Sequence, residues 1–237
     1  MSRKTLFTEE GIYHICNRAI DGRTIFLNDK EYFRAIHDLY EFNDENPADN
    51  IYYRTPSLKS YDTPCHKIKK DPLIEILAFV LMPNHYHLLI RQLKDGGIVK
   101  FMHKFGMGYA KFFNEKYQRV GALFQGPFKA ILVERQAHFT HLPFYIHANP
   151  LDLKFPTWRE QKLKNPKKAM EFLENYRWSS FPDYIGKKNF PSVTQREFLT
   201  DVCGPPKAYK KATLELLQEM DLAIIQNVAL EDTGSIL

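Results

Sequence analysis

Hydrophobic and polar positions change period along the chain, and the changes mark its elements. Gly11 to Arg18 is β-branched and aromatic and predicts a strand that ends in the Asp21-Gly22-Arg23 turn. Asn28-Asp29-Lys30-Glu31 has the form of a helix cap, and Phe33, Ile36, Leu39 and Tyr40 then recur on one side of a helix. Periodicity lapses over 44–71, where Asn, Asp, Ser and Pro accumulate beside the basic run His66-Lys67-Ile68-Lys69-Lys70, which predicts an exposed inserted loop. Ile74 to Leu81 is almost wholly apolar, the pattern of a central strand covered on both faces. Met82-Pro83-Asn84 turns it into a second strand, His85 to Arg91. Ile98 to Tyr117 is helical, with Ile98, Met102, Phe105, Tyr109, Phe112 and Phe113 on one face and Lys100, Lys104 and Lys111 opposite. Phe128 to Glu134 reads as a short strand, and Gln136 to Asn149 as a helix stopped by Pro150.

The resulting order, strand-helix-strand-strand-helix-strand, is that of an α+β ferredoxin-like sandwich: a central antiparallel sheet with helices on one face. After Leu153 the pattern changes. Trp158 to Lys168 is basic and polar, Ala169 to Trp178 predicts a short helix, and Thr194 to Leu237 is largely helical. The expected division is a core domain at 1–157, with 44–71 as its insert, and a basic linker with a mostly helical extension at 158–237.

Composition narrows the class. At 237 residues, 44% hydrophobic and 26% charged, the chain has enough apolar material for one large core. A net charge of +5 with 18 Phe and 13 Tyr leans toward a polyanionic partner and base stacking. Cys16, Cys65 and Cys203 form no CxxC pair, which excludes a zinc knuckle and fits a reducing compartment. The N-terminal residues lack the apolar stretch of a signal peptide, and no apolar run is long enough to span a bilayer, so a cytoplasmic protein with no membrane partner is expected.

The strongest chemical signal is His85-Tyr86-His87. On a strand, His85 and His87 share a face while Tyr86 takes the other. Two such imidazoles are half of a divalent-metal site, or equally a hydrogen-bonded pair at a strand end. On the last helix of the core, His138, His141, Tyr145 and Asn149 fall within a narrow arc at about 100° per residue. A carboxamide oxygen at Asn149 can complete the ligand set while Tyr145 stands beside the ion, poised to attack phosphorus as a covalent nucleophile.

Taken together, Met82-Pro83-Asn84-His85-Tyr86-His87-Leu88-Leu89-Ile90, Gly121 to Lys129, Tyr145-Ile146-His147-Ala148-Asn149-Pro150 and Trp178-Ser179-Ser180 resemble the HUH single-tyrosine transposases, the IS200-like and REP-associated branch in particular. The resemblance runs from about Glu10 to Tyr184. It implies a Mg²⁺- or Mn²⁺-dependent enzyme that cuts single-stranded DNA beside hairpins or palindromic repeats, leaving a 5′-phosphotyrosine and a free 3′-hydroxyl. It also implies His85, His87 and Asn149 as metal ligands and Tyr145 as nucleophile. Related insertion-sequence enzymes carry glutamine where this chain has the shorter Asn149. Two features depart from the pattern: the long 44–71 insert, and Pro143, which must either begin the helix or bend it just before Tyr145.

Further DNA contacts are expected from Asn17 and Arg18 at the end of the first strand, from Lys100, Lys104 and Lys111, from Phe124, Gln125 and Lys129, and from His141. The lysines on the helix compete with a simpler role as its solvated face. The main rival is a nucleic-acid-binding module of the same fold with catalysis lost or repurposed. A phosphoesterase with paired H-x-T/S motifs is disfavoured because His138-Phe139-Thr140 has no second copy, and a relaxase or replication initiator because no helicase motif accompanies the site. The chain gives no choice between monomer and homodimer.

Overall fold

A computed structural model describes residues 6–47, 70–160, 163–219 and 229. Four strands, β1 (Ile12–Arg18), β2 (Ile74–Met82), β3 (His85–Gln92) and β4 (Lys129–Leu132), form one antiparallel sheet in the order β2-β3-β1-β4. With α1 (Asp29–Glu41) between β1 and β2, and α2 (Gly97–Lys116) between β3 and β4, this is the ferredoxin-like arrangement. Most of the 44–71 insert lies outside the described residues.

The first helix starts where the cap residues place it. Asn28 accepts from the Lys30 N–H at 3.0 Å, and the Glu31 carboxylate accepts from the Asn28 N–H at 2.9 Å, closing a capping box. Both helices pack on the same face of the sheet, over Tyr13, Ile15, Phe79, Leu81, Tyr86, Leu88 and Ile90. Tyr86 is buried on this face, opposite the two histidines that flank it.

The other face is apolar too, which is why the sheet needs a third layer. Ile12, Ala78, Val80, Met82 and Leu89 point there and are buried. They are covered by α3 (Gln136–Ala148), α4 (Pro166–Asn175), α5 (Phe181–Tyr184), α6 (Glu197–Cys203) and α7 (Pro206–Glu219), which share one core cluster with them. Each fully buried Leu, Ile or Phe in that cluster stabilises the fold by about 1.5–3 kcal/mol relative to exposure. The C-terminal helices therefore seal the sheet, and the finished domain carries helices on both faces.

One expectation needs correcting at β2. The strand is covered on both faces, but it lies at the end of the sheet rather than the centre. Its outer edge is paired by irregular segments instead of a strand: Leu81 N–H donates to Trp178 O at 2.8 Å, Ser180 N–H to Phe79 O at 3.0 Å, and Gln195 N–H to Ile76 O at 2.9 Å. The edge groups that would otherwise stay exposed to other chains are thereby satisfied.

Helix α3 runs through Pro143 from Gln136 to Ala148 without restarting. Proline has no N–H to give the carbonyl of Phe139. The Cys203 thiol, on α6, approaches that carbonyl at 3.9 Å instead. The helix is tied to the rest of the molecule by His147, which is fully buried and neutral, its pKa pushed down to about 3 by burial. Its Nε2 lies 2.7 Å from Ser180 Oγ and its Nδ1 2.8 Å from Tyr209 Oη. Ser180 Oγ in turn accepts from the Phe79 N–H at 2.9 Å, so one buried hydroxyl links α3 to the edge of the sheet.

Candidate active site

The sheet's register decides which side chains meet. Across β1, β3 and β4, Arg18 pairs with His85, Cys16 with both His87 and Lys129, and His14 with Leu89. Directly paired residues share a face, so His14, Cys16, Arg18, His85, His87 and Lys129 all lie on the α3 side. The rings of His85 and His87 are 5.1 Å apart.

Each of the two histidines is anchored through Nδ1. Asn84 gives its NH₂ to the Gly22 carbonyl at 3.1 Å, so its oxygen is the acceptor 2.7 Å from His85 Nδ1. His85 must donate there, which places its lone pair on Nε2. His87 Nδ1 lies 2.9 Å from His14 Nε2 in a buried pair. Burial, followed by the nearby positive groups His85, His14, Arg159 and Arg18, holds the His87 pKa well below the ordinary histidine range. The ring is therefore neutral, as a ligand must be.

Helix α3 brings up the other half. The Tyr145 ring stands edge-on to His87 and His14, with centroids 6.3 and 6.4 Å away. Asn149 caps the helix one turn later, its NH₂ donating to the Tyr145 carbonyl at 2.8 Å. That bond fixes the orientation of the amide. Its oxygen accepts from Arg159 Nη2 at 3.1 Å, and Arg159 Nη1 donates to Tyr145 Oη at 3.1 Å. Asp152 holds the guanidinium from the far side, accepting from Nε at 3.1 Å and from Nη2 at 2.8 Å. Trp158 Nε1 donates to the same carboxylate at 2.6 Å, and its ring lies under the guanidinium.

The residues present suit a divalent ion. Two imidazoles on one face of β3 and a carboxamide oxygen, which has a second lone pair beyond the one Arg159 uses, can form a mixed nitrogen-oxygen donor set. Among the described residues no three His, Cys, Asp or Glu gather around a common point.

The remaining sequence candidates divide by position. Arg18, Asn17, Gln125 and Lys129 line, with Cys16 and the Gly126-Pro127 turn, a cleft of about 300 Å³ that borders the histidine pair. Asn17 donates to the Gly126 carbonyl at 3.3 Å across it. Phe124 packs on Tyr86, ring centroids 5.9 Å apart, on the other side of the sheet. Lys100, Lys104 and Lys111 also lie on that other side. Lys100 pairs with Glu45, Lys104 donates to the Asn46 carbonyl at 2.8 Å, and Lys111 pairs with Glu115 at 3.7 Å. His141 is half-buried, its pKa lowered by that burial, and its Nδ1 meets no hydrogen-bond partner among the described residues.

Two residues of the site escaped the sequence reading. His14 shares strand parity with Cys16 and Arg18, a signal that acquires meaning only once β1 is registered against β3. Arg159 sat in a stretch read as a basic linker, and no local spacing marks it.

Residues 51–149 match the family described as "Transposase IS200 like", a span that runs from the insert through β2, β3, α2, β4 and α3 and ends on Asn149. That stretch is less than half of the chain, and over it the chain is similar to the IS200-like transposases. The family span thus takes in His85, His87, Tyr145 and Asn149, and leaves out His14, Arg18 and Arg159. Among curated proteins, the chain is 29% identical over 89 residues to "Transcription factor E" of Methanosarcina mazei, covering 37% of the chain. It spans about half of that relative's length, 54%. Among solved structures, a REP-associated tyrosine transposase bound to a REP hairpin shows 12% identity and a TM-score of 0.48, over 83% of this chain and 92% of that one. A tRNA(His) guanylyltransferase from Saccharomyces cerevisiae shows 8% identity and a TM-score of 0.37, over 74% and 76%. No helix among the described residues is long and apolar enough to cross a membrane.

Proposed function

We propose that the chain is a single-tyrosine DNA strand transferase, cutting and rejoining single-stranded DNA beside a hairpin through a phosphotyrosine bond. The observation that carries this reading is the placement of Tyr145 edge-on to His87 with Asn149 one turn further along the same helix. In the cut, Tyr145 Oη bonds to phosphorus and the P–O3′ bond breaks with its electron pair on O3′. The phenolic proton passes to solvent, and O3′ gains one from solvent. The DNA 5′-phosphate is left on the tyrosine, the bond energy is kept there, and a second 3′-hydroxyl reverses the step without ATP.

His85, His87 and Asn149 would hold a Mg²⁺ or Mn²⁺ ion, which when bound supplies positive charge against the non-bridging oxygens of the scissile phosphate. The cleft beside them offers Arg18 and Lys129 to the backbone of the entering strand, contacts that position without reading sequence. Gln125 and Asn17, at the same cleft, can reach a base edge or sugar.

The test is a denaturing gel after incubation with hairpin oligonucleotides carrying randomised single-stranded flanks and Mn²⁺. A protein-DNA adduct that chelator and Tyr145→Phe both abolish supports the reading. One observation favours the rival binding module: Tyr145 is only 1% exposed. Retained binding of the same oligonucleotides with no adduct from any of them would decide for that rival.

A further inference from the structure

Within this proposed site, the guanidinium of Arg159 joins the two groups that the reaction needs at a fixed separation. Nη1 donates to Tyr145 Oη and Nη2 to Asn149 Oδ1, both at 3.1 Å. The side chain that makes the bridge is itself locked. Asp152 takes its Nε and its second Nη2 proton, Trp158 both supports the guanidinium and fixes Asp152, and 24% of the Arg159 side chain is exposed. Such a fork holds its partners at one geometry, which a single ammonium on a flexible stem does not. The residue lies beyond the span that defines the family, in a 3₁₀ turn at Pro156–Glu160.

We infer that Arg159 is a catalytic residue of the strand-transfer site, donating to the attacking oxygen of Tyr145 while it orients the carboxamide of Asn149. This rests on the reading of Tyr145 as nucleophile. When the phenol attacks, the cation beside Oη stabilises the negative charge that builds on it as its proton departs. In the reverse step Oη is the leaving group, and the same donor stabilises it as the P–Oη bond breaks. A donor held in place before the reaction begins loses nothing to reorganisation, and removing one such group costs about 100-fold to 1,000-fold in rate.

Because Arg159 acts on the same transition state in both directions, its removal slows both cutting and rejoining, and the adduct still forms, only more slowly. That separates its role from a structural one, since a partly unfolded variant loses amplitude rather than rate.

The experiment is single-turnover adduct formation by the full chain with the randomised-flank hairpin pool and Mn²⁺, for wild type, Tyr145→Phe, Arg159→Ala and Arg159→Lys. Binding of the same pool is measured separately by fluorescence anisotropy in chelator. The expected result is an Arg159→Ala rate at least about 100-fold below wild type, with binding of the pool retained and the adduct still accumulating at long times. Guanidinium ion added to Arg159→Ala should recover part of the rate, and Arg159→Lys should fall between the two. A wild-type rate in Arg159→Ala overturns the inference, as does a loss confined to amplitude that guanidinium does not restore. An adduct from Tyr145→Phe, or none from wild type, overturns the reading of the site itself and this inference with it.

Discussion

Replacing Ser180 by alanine removes a single oxygen, yet it cuts the link between the helix that carries Tyr145 and the sheet that carries the histidines. Ser180 is fully buried, with Oγ accepting from the Phe79 N–H at 2.9 Å and meeting His147 Nε2 at 2.7 Å. In the alanine variant both partners stay buried, and the space left by one hydroxyl is too small and too apolar for a bridging water. Each buried group left unsatisfied costs about 1–3 kcal/mol, so the expected loss is roughly 2–4 kcal/mol, allowing for some relaxation of α3. For a chain of this length that lowers the melting temperature by about 5–15 °C. Urea unfolding followed by circular dichroism gives the free energy directly, with an unchanged dependence on urea showing that the unfolded ensemble is the same. The neighbouring Ser179→Ala is the control. Its Oγ serves only short-range partners, Tyr176 O at 3.4 Å and Phe181 N–H at 3.2 Å, and its loss should cost about 1 kcal/mol or less. A Ser180→Ala protein within about 0.5 kcal/mol of wild type, or no less stable than Ser179→Ala, would refute the reasoning.

Two other outcomes follow from named contacts. Glu31 is fully buried and accepts from Lys116, from Tyr117 Oη at 2.7 Å and from the Asn28 N–H at 2.9 Å; burial opposes its charge, but these donors win and keep its pKa below the usual carboxylate range. Glu31→Gln should therefore destabilise the fold by about 2–4 kcal/mol in urea unfolding at neutral pH, and a change under about 0.5 kcal/mol would contradict the role given to these donors. On the DNA side, Lys129→Ala should weaken oligonucleotide binding and reduce the salt slope by about one, while Lys104→Ala should leave both unchanged. Anisotropy titrations at several salt concentrations compare them, and an equal effect from Lys104→Ala would move the binding surface to the other side of the sheet.

Much of the fold was legible because it depends on local period. The two-residue alternation at His85-Tyr86-His87 set the histidines on one face and Tyr86 on the other, as found. The order of strands and helices followed from the apolar stripes of α1 and α2 and the Pro83-Asn84 turn. What stayed hidden was decided by tertiary packing. The position of β2 at the sheet's end is invisible in an apolar run, since burial on both faces makes an edge strand look like a central one once Ser180 and Gln195 cover it. The almost wholly apolar Ile74–Met82 did hint at a third layer, and the C-terminal helices supply it. Pro143 left the course of its helix open. The intact α3 shows that a missing N–H is tolerable where Cys203 meets the Phe139 carbonyl. Arg159 enters the site from a turn after the last core helix, and only folding brings it to Tyr145.

The most direct measurement is tandem mass spectrometry of the protease-digested adduct formed with Mn²⁺ and a hairpin oligonucleotide. The expected product is a peptide spanning Tyr145, with a nucleotide 5′-phosphate on the phenolic oxygen and a free 3′-hydroxyl on the released strand. Attachment to any other residue, or through a 3′-phosphate, would contradict the assignment of Tyr145 as the nucleophile.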